Sequence, residues 1–292
     1  MRRLSLALVG TAVTALVLNA SVFAHPGSGI AVDRSGVIYF VDTGAGLWKV
    51  DAKGALVAIP SPRFHWMALD QDDRLKNVRL PSGSSGEVTR VGSKPVLLLA
   101  SDYPLAIGSD GNLYFPSRVS HEAVDIVRLS TSGARSIVTR IRVPHLNGLA
   151  AGPNGTLYFT EPAAIRRIDA QGRVATVAEN VALTGCASIP ATSSPELRGL
   201  AVAADGTVYV AASGCGRVIN VTPVGEISTI LQIESPWSPT AVTLSGRDVY
   251  VLEYLHTAVE DRRQWIPRIR RVSPDGKHAI LATVSRNDPP QR

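Results

Sequence analysis

The sequence predicts an all-β protein, a six-bladed β-propeller of four-stranded antiparallel blades. Two observations lead to this fold class. A strand-turn-strand pattern such as "GLAVAADGTVYV" returns six times, and each copy is followed by two further short stretches of alternating apolar and polar residues. Alternation with a period of two, interrupted by Gly, Asp, Asn and Pro, indicates β-strands. Units of four strands that recur roughly 42 residues apart are typical of a propeller.

Each blade is predicted from its own hairpin. The hairpins begin near residues 29, 66, 105, 148, 199 and 241, and the blades lie near 27–61, 62–101, 102–143, 144–181, 196–234 and 238–284, followed by a tail at 285–292. Third strands are expected near 47, 88, 126, 165, 218 and 269, and fourth strands near 56, 96, 136, 174, 227 and 279. The second unit is the weakest, because "RLKNVRL" stands where the others have a "LYF"-type strand. The ring begins on a first strand and ends on a fourth, so no strand exchange is expected to close it.

The turns within these hairpins have a physical basis. The motifs "SDG", "PNG" and "ADG" supply Gly, which adopts positive φ without steric cost, and Asp or Asn, whose side chains bond to nearby backbone N–H groups. Two separate β-sandwiches are the alternative architecture for this length. The regular return of one four-strand unit favours the propeller.

A secretory signal is predicted at residues 1–24. Two arginines precede an uncharged apolar stretch from Leu4 to Leu18, and small residues precede His25. An uncleaved membrane anchor is the alternative, but the stretch is shorter than the ~20 residues that span a bilayer. The arginine pair leaves a twin-arginine export signal as a further alternative. We expect a mature chain that starts at His25, has no membrane span, and is secreted or periplasmic.

The charge distribution argues against a nucleic-acid partner. Without residues 1–24 the chain keeps 28 basic and 24 acidic residues, a net charge of +4. The arginines of "IRRI" at 165–168 and "IRRV" at 269–272 lie in strand-like alternation, where the simplest interpretation is solvent-facing residues. Nucleic-acid binding would need a concentrated basic surface.

The repeat unit resembles an NHL repeat. The stretch "GLAVAADGTVYVA", with "GRVINVTPVG" after it, carries this likeness, and residues from about 27 to 284 resemble the six-bladed propellers of the senescence-marker-protein/gluconolactonase family. The matching residues are glycines, aliphatics and aromatics that build blades. The resemblance therefore implies the fold and says little about chemistry.

The same resemblance bears on metal binding. Lactonases of that family hold a divalent cation at the channel mouth with one Glu, one or two Asn and one Asp, and Asn147 in "HLNGLA" matches one such ligand. The Glu expected near the first repeat is absent from "HPGSGIAV", and Arg198 in "ELRGLAV" stands where the Asp is expected. Because an arginine repels a bound cation, no cofactor is predicted, with a divalent cation such as Ca²⁺ or Zn²⁺ as the alternative.

Loop lengths predict which face is functional. In a propeller the connections between strands one and two, and three and four, share one face, and all other connections share the opposite face. The first set is short throughout, whereas the second contains every long segment, including 179–197 and 253–267. We call these surfaces the short-turn face and the long-loop face. Binding residues usually lie on long loops, so the long-loop face is predicted to be the functional one.

The two cysteines are both predicted on the long-loop face. Cys186 lies in the loop before blade five, and Cys215 lies in that blade's own connection "ASGCGRV". An exported chain with two cysteines on one face of one blade is a disulfide candidate. Two free thiols are the alternative, and the sequence identifies no base that would activate a nucleophilic cysteine.

Polar and aromatic side chains from several blades are expected to converge at the channel mouth. The candidate ligand-binding residues are His65, Trp66, His145, Asn147, Glu161, Arg198 and Glu253. The alternative is that Glu161 and Glu253 cap strand ends or pair with Arg198 and its neighbours. No catalytic residue is identified.

These features predict an exported NHL-like propeller that binds a protein, peptide or glycan through its long-loop face. A small-molecule ligand fits the same pattern. The alternative function is a channel-mouth hydrolase or lyase of the gluconolactonase-like type, with or without a metal. A zinc version would use His65 and His145, which precede equivalent inner strands, with His256 or His25, because catalytic zinc needs three protein ligands and an open position.

Overall fold

The computed structural model describes residues 29–42, 46–59, 66–69, 75–76, 97–100, 104–143, 146–183, 186, 195–255 and 265–285, with backbone only for the three strands between 66 and 100. The predicted signal sequence lies outside these residues. Apart from two short 3-10 helices, Pro153–Gly155 and Ser213–Cys215, the regular structure described is β-strand. Neither helix is long enough to cross a membrane, and no other helix is present in the described ranges.

Six antiparallel sheets follow one another along the chain, and we number them as blades one to six. Blade one consists of β1 (Ile30–Val32), β2 (Ile38–Asp42), β3 (Gly46–Val50) and β4 (Leu56–Ile59), and blade two of β5 (Trp66–Leu69), β6 (Leu75–Lys76) and β7 (Leu97–Ala100). Blade three consists of β8 (Ala106–Ile107), β9 (Leu113–Arg118), β10 (Val124–Leu129) and β11 (Arg135–Ile141), and blade four of β12 (Gly148–Ala151), β13 (Leu157–Glu161), β14 (Ala164–Ile168) and β15 (Val174–Ala178). Blade five consists of β16 (Leu197–Val202), β17 (Val208–Ala212), β18 (Arg217–Val221) and β19 (Ile227–Gln232), and blade six of β20 (Trp237–Ser245), β21 (Asp248–Leu255), β22 (Ile266–Val272) and β23 (His278–Thr283). Five blades have four strands paired in chain order, as predicted.

Blade two differs from the prediction. Residues 96–100 were expected as its outermost strand, but β7 pairs with β5, from Trp66 opposite Ala100 to Leu69 opposite Leu97, and lies beside β1 and β8. The three strands described for this blade run in the order β6, β5, β7. The physical reason lies in composition. Outer strands of the other blades are largely exposed, as in β15 and β23, and the apolar run Leu97–Ala100 suits a position near the axis better.

The inner strands form a closed ring around a central channel. Going round, β1 lies beside β7, then β8, β12, β16, β20 and β1 again. Blades six and one meet through a shared apolar cluster that includes Phe40, Trp48 and Ile269. The hydroxyl of Tyr254 also donates a hydrogen bond to the carbonyl of Val41. No strand among the described residues is exchanged between the first and last blades, so the ring closes by side-to-side contact, as predicted.

Apolar residues of the middle strands hold neighbouring blades together. Phe40, Phe115 and Phe159 occupy equivalent positions in their blades and are at most 2% exposed. Each fully buried side chain of this kind stabilises the fold by about 1.5 to 3 kcal/mol. The ring is therefore stabilised mainly between blades, which leaves the ends of the channel to carry function.

The short-turn face is built by a repeated device. In the turn that begins at Asp169, its Oδ1 atom accepts hydrogen bonds from the backbone N–H groups of Gln171 and Arg173, at 2.9 Å each. Gly172 closes the turn with a φ of 80°. Asp33 and Asp51 accept backbone bonds in the same way. The predicted chemistry of these turns is confirmed, and it occupies their carboxylates in structural roles.

Candidate functional site

A cavity of about 310 Å³ lies inside the ring of inner strands. Its described lining comes from β1, β8, β12, β16 and β20 and from the residues just before them, and is mostly aliphatic or glycine. The polar side chains in this lining are those of Asn147 and Thr243, and none of the lining residues described is ionisable. The volume is at the lower end of the range for small-molecule sites. The channel thus offers an apolar pocket with very few polar groups.

Asn147 lies at the long-loop end of this cavity, immediately before β12. Its Nδ2 atom donates a hydrogen bond of 2.9 Å to the carbonyl of Leu197, at the start of β16. Thr160 makes a parallel contact, since its Oγ1 atom donates to the carbonyl of Arg198 at 2.8 Å. Blade four therefore holds the backbone of blade five at the channel rim through two side chains. Sequence reasoning singled out Asn147 but missed Thr160, whose place in "LYFT" gives no separate signal.

Arg198 is the second residue of β16 and is followed by Gly199, which lines the cavity. The residue is half-buried as a whole, but its Nε atom is fully buried and has no hydrogen-bond partner in the described structure. Burial lowers the pKa of the guanidinium, and the nearby carboxylate of Glu196 partly opposes this shift. No ion pair of Arg198 with Glu161 or Glu253 is present. The rim therefore carries a positive charge with an unused donor.

Glu161 and Glu253 form ion pairs, but with other arginines than the Arg198 named in the alternative interpretation. Glu161, at the end of β13, accepts a bond of 3.0 Å from Nε of Arg166 in the next strand. Glu253, in β21, is fully buried and accepts bonds from Arg268 and from Nε of Arg270, the latter at 2.6 Å. Both carboxylates are thus engaged within their own blades, and neither residue is among the cavity lining.

The pairs around Glu253 belong to a larger, partly buried network, in which the Glu234 side chain is 57% exposed. Glu234, which follows blade five, accepts bonds from Nη2 of Arg268 at 2.7 Å and from Nη2 of Arg270 at 3.1 Å. The Arg268 guanidinium also lies 3.9 Å from the ring centroid of Trp237. Partial burial opposes ionisation of Glu234, but its own backbone N–H and the two arginines outweigh it and lower its pKa to about 2. The network joins blades five and six near the long-loop face.

This network corrects the expectation that the arginines of "IRRV" face solvent. Arg270 is only 4% exposed, whereas Arg271 is exposed. The alternation of β22 places Arg268 and Arg270 on the side of Glu253, and Arg268 is directly opposite Glu253 in the strand register. The sequence contains a signal for this pairing, because Arg268 and Arg270, two positions apart, follow a strand that carries Glu253. Their partner could not be identified without the register.

The predicted disulfide is present between Cys186 and Cys215, with a sequence separation of 29 and a Cα–Cα distance of 4.5 Å. Cys215 ends the short helix Ser213–Cys215 on the long-loop face. The backbone N–H groups of Ser213 and Gly214 donate to the carbonyls of Glu196 and Pro195, the two residues before β16. A closed loop of this length stabilises the fold by about 3 to 4 kcal/mol in the chain-entropy description. The bridge thus anchors the chain that leads into Arg198.

The remaining predicted site residues are placed only in part. Trp66 begins β5, of which the backbone is described, and His65 and His145 lie outside the described residues, as do His25 and His256. The proposal that histidines hold zinc therefore stays a prediction. Among the described residues no group of three His, Cys, Asp or Glu side chains could hold a metal ion.

The described rim does not fit the divalent-cation site of the lactonases. One candidate ligand, Asn147, is present, and its amide nitrogen is engaged with Leu197. A cation, Arg198, occupies the place of the expected aspartate, and no described lining residue is a carboxylate. A divalent cation needs several oxygen ligands, usually with negative charge. We therefore derive no chemistry through a metal at this rim.

Comparison with known proteins agrees with the fold. No family model matches the sequence, and no curated protein matches it. Similar solved structures include a gluconolactonase from Xanthomonas campestris, 17% identical over 78% of this chain and 83% of that chain, with a TM-score of 0.55. Regucalcin, a calcium-binding protein from Agrobacterium tumefaciens, is 18% identical over 78% of this chain and 83% of that chain, with a TM-score of 0.51. A streptogramin B lyase is 17% identical over 89% of this chain and 84% of that chain, with a TM-score of 0.50.

These identities show the fold alone. The predicted resemblance to gluconolactonase-like propellers is confirmed at that level, and the similar structures include both enzymes and a binding protein. The same scaffold thus serves catalysis and binding, so the function must be argued from the rim and cavity of this chain.

Proposed function

We propose that the protein is an exported propeller that binds a peptide or protein partner through its long-loop face. An apolar group of the partner occupies the central cavity. The observation that carries this proposal is the aliphatic lining of a cavity of about 310 Å³ without a described ionisable side chain. A lining of this kind favours binding of an apolar group over acid–base chemistry, which needs a titratable side chain at the reacting atoms.

The composition of the rim and cavity favours a peptide over a glycan. A glycan presents many hydroxyl groups, which would need several hydrogen-bonding side chains, and the described lining offers Asn147 and Thr243. An aliphatic or aromatic side chain of a peptide buries its surface against Leu149, Leu200 and Val242 without polar groups left unpaired. Long loops around the mouth add surface for the rest of a larger partner.

Selection of displayed random peptides on immobilised mature protein, residues 25–292, tests this function. Thr243→Phe fills the cavity from β20, and Thr131→Phe places the same change on an exposed turn of the short-turn face. We expect enriched peptides with an apolar anchor residue to bind the wild type and Thr131→Phe equally. Thr243→Phe should weaken the binding of these peptides by about tenfold or more, since burial of one apolar side chain contributes about 1.5 to 3 kcal/mol. Absence of enrichment, or equal binding to Thr243→Phe, contradicts the proposal.

An enzyme at the channel mouth is the second candidate function. The position of Asn147 at the rim favours it, because this residue matches one ligand of the lactonases and lines the cavity. Elemental analysis of the purified mature protein separates the two functions. We expect no stoichiometric Ca²⁺ or Zn²⁺, because the described rim supplies one neutral ligand beside an arginine. One tightly bound cation per chain, with a melting temperature that rises on its addition, would favour the enzyme.

A further inference from the structure

Arg198 carries a buried hydrogen-bond donor that no described residue satisfies. Its Nε atom and the indole Nε1 of Trp48 are the buried side-chain nitrogen or oxygen atoms without a partner in the described structure. The buried arginines Arg268 and Arg270 differ, since each bonds to two carboxylates. Buried polar groups in native proteins almost always have a partner. No described residue completes the donor of Arg198, so a ligand group at this rim can do so.

The backbone of Arg198 is fixed from both sides. From blade four, Asn147 and Thr160 bond to the carbonyls of Leu197 and Arg198. Gly148 packs so closely that a Cβ atom there would lie 2.7 Å from the carbonyl oxygen of Arg198. From the side of Cys215, the N–H groups of Ser213 and Gly214 bond to the two residues before β16. The backbone that carries the guanidinium is therefore fixed before a ligand arrives, which lowers part of the entropic cost of binding.

The site is next to the cavity. Two residues that line the cavity are neighbours of Arg198. Asn147 bonds to the carbonyl of Leu197, the residue before Arg198, and Gly199 is the residue after it. Arg198 is not itself among the described lining residues, so a ligand that reaches both places extends from the cavity to the rim. The half-buried state of Arg198 leaves part of the residue open to such a ligand.

We propose that Arg198 binds a carboxylate of the ligand whose apolar part occupies the central cavity. This inference rests on the binding function proposed above and specifies its ligand as an apolar carboxylic acid. The free C-terminus of a peptide that ends in an apolar residue has this chemistry, and so has a small aliphatic acid.

Charge and shape select a carboxylate over a phosphate. A planar carboxylate matches the fork of guanidinium donors and carries one charge. A phosphate carries nearly two charges, and the carboxylate of Glu196 lies close enough to Arg198 to influence its pKa. The described cavity lining adds no second cation to offset the repulsion.

Isothermal titration of the mature, oxidised protein tests the inference with four probes. These are an acetylated tetrapeptide that ends in leucine, the same peptide with a C-terminal amide, 4-methylpentanoate and 4-methylpentanamide. We expect each acid to bind about tenfold or more tightly than its amide, because hydrogen bonds to charged groups contribute about 1.5 to 3 kcal/mol. Binding of 4-methylpentanoate alone identifies a small acid as the ligand source, and binding of the peptide acid identifies a chain terminus.

Variants then assign the effect to Arg198. Arg198→Met should reduce affinity for the acids to that of the amides and leave the amides unchanged. Arg167→Met, which changes an exposed arginine of β14, is the matched control and should alter neither. The comparison of acid with amide uses the wild-type protein, so it tests for the contact to the carboxylate even where Arg198→Met fails to fold.

Two results overturn the inference. If acids and amides bind equally, the ligand makes no ionic contact, yet the binding function stands, because the cavity still accepts apolar groups. If neither acid binds at millimolar concentration, the carboxylate site is rejected, and the peptide selection decides the binding function separately.

Discussion

Whether an arginine of this propeller is buried depends on which face of its strand it occupies. Arg270 and Arg271 are neighbours in β22, but Arg270 lies on the side of Glu253 and is buried, whereas Arg271 is exposed. A buried charge is tolerated only when it is paired and hydrogen-bonded. The network of Glu234, Glu253, Arg268 and Arg270 meets this condition with two charges of each sign. The described residues supply no partner for Nε of Arg198, and this contrast separates a structural arginine from a candidate ligand-binding one.

The network predicts a large stability effect at Glu253. Glu253→Gln removes a fully buried charge and leaves two buried guanidinium groups with Glu234 alone. We expect a loss of about 3 to 5 kcal/mol in the free energy of unfolding, as found when one partner of a buried ion pair is removed. Glu179→Gln is the control, since Glu179 is 58% exposed and pairs with Arg166 at 3.4 Å. Its loss should be at most about 1 kcal/mol.

Urea denaturation of the two variants measures this difference. If both variants lose the same small free energy of unfolding, the network around Glu253 contributes no more to stability than a surface ion pair. Binding of acid probes should be the same for Glu253→Gln and the wild type wherever the variant is folded, because Glu253 is not part of the cavity lining.

Strands and turns were predictable from the sequence because each carries its own local signal. The alternation in "GTLYFT" gives β13, and Asp and Gly in "DAQG" give the turn at Asp169, closed by contacts within a few residues. Contacts across blades have no such signal. The bond from Thr160 to Arg198 spans 38 residues, and the pairing of Arg270 with Glu253 depends on register. The sequence therefore predicted that Arg198 and Asn147 lie on the long-loop face but could not show what either one contacts.

Blade two shows where local patterns mislead. The run "VLLLA" was assigned to an outer strand by its order in the repeat, whereas β7 pairs with β5 beside the inner strands. Order along the chain predicts position in a blade only where composition agrees with it. Three consecutive leucines fit an exposed outer edge poorly, and composition outweighs repeat order at this position.

At the scale of the whole molecule, function and stability occupy different parts of the ring. Apolar clusters between blades hold the ring together, and the pair of blades at the closure is joined like the others by packing. At the channel rim, the side chain of Asn147 joins blades four and five, whereas Nε of Arg198 bonds to no described residue. A change at Arg198 should therefore affect binding more than folding, while changes at the closure should affect folding of the complete ring.

The closure between blades six and one gives a test of this division. Tyr254 is fully buried, and its hydroxyl donates to the carbonyl of Val41 across the closure. Tyr254→Phe keeps the packing of the ring but leaves a buried carbonyl without this donor, which should reduce the free energy of unfolding by about 1 to 3 kcal/mol. Tyr209→Phe, at a half-buried tyrosine in the second strand of blade five, is the control and should change it by no more than about 0.5 kcal/mol. Chemical denaturation of both variants measures the effect, and acid-probe titration of the folded Tyr254→Phe protein should match the wild type. A normal stability for Tyr254→Phe, or a loss of binding without a loss of stability, would show that closure and ligand site are not separated in this ring.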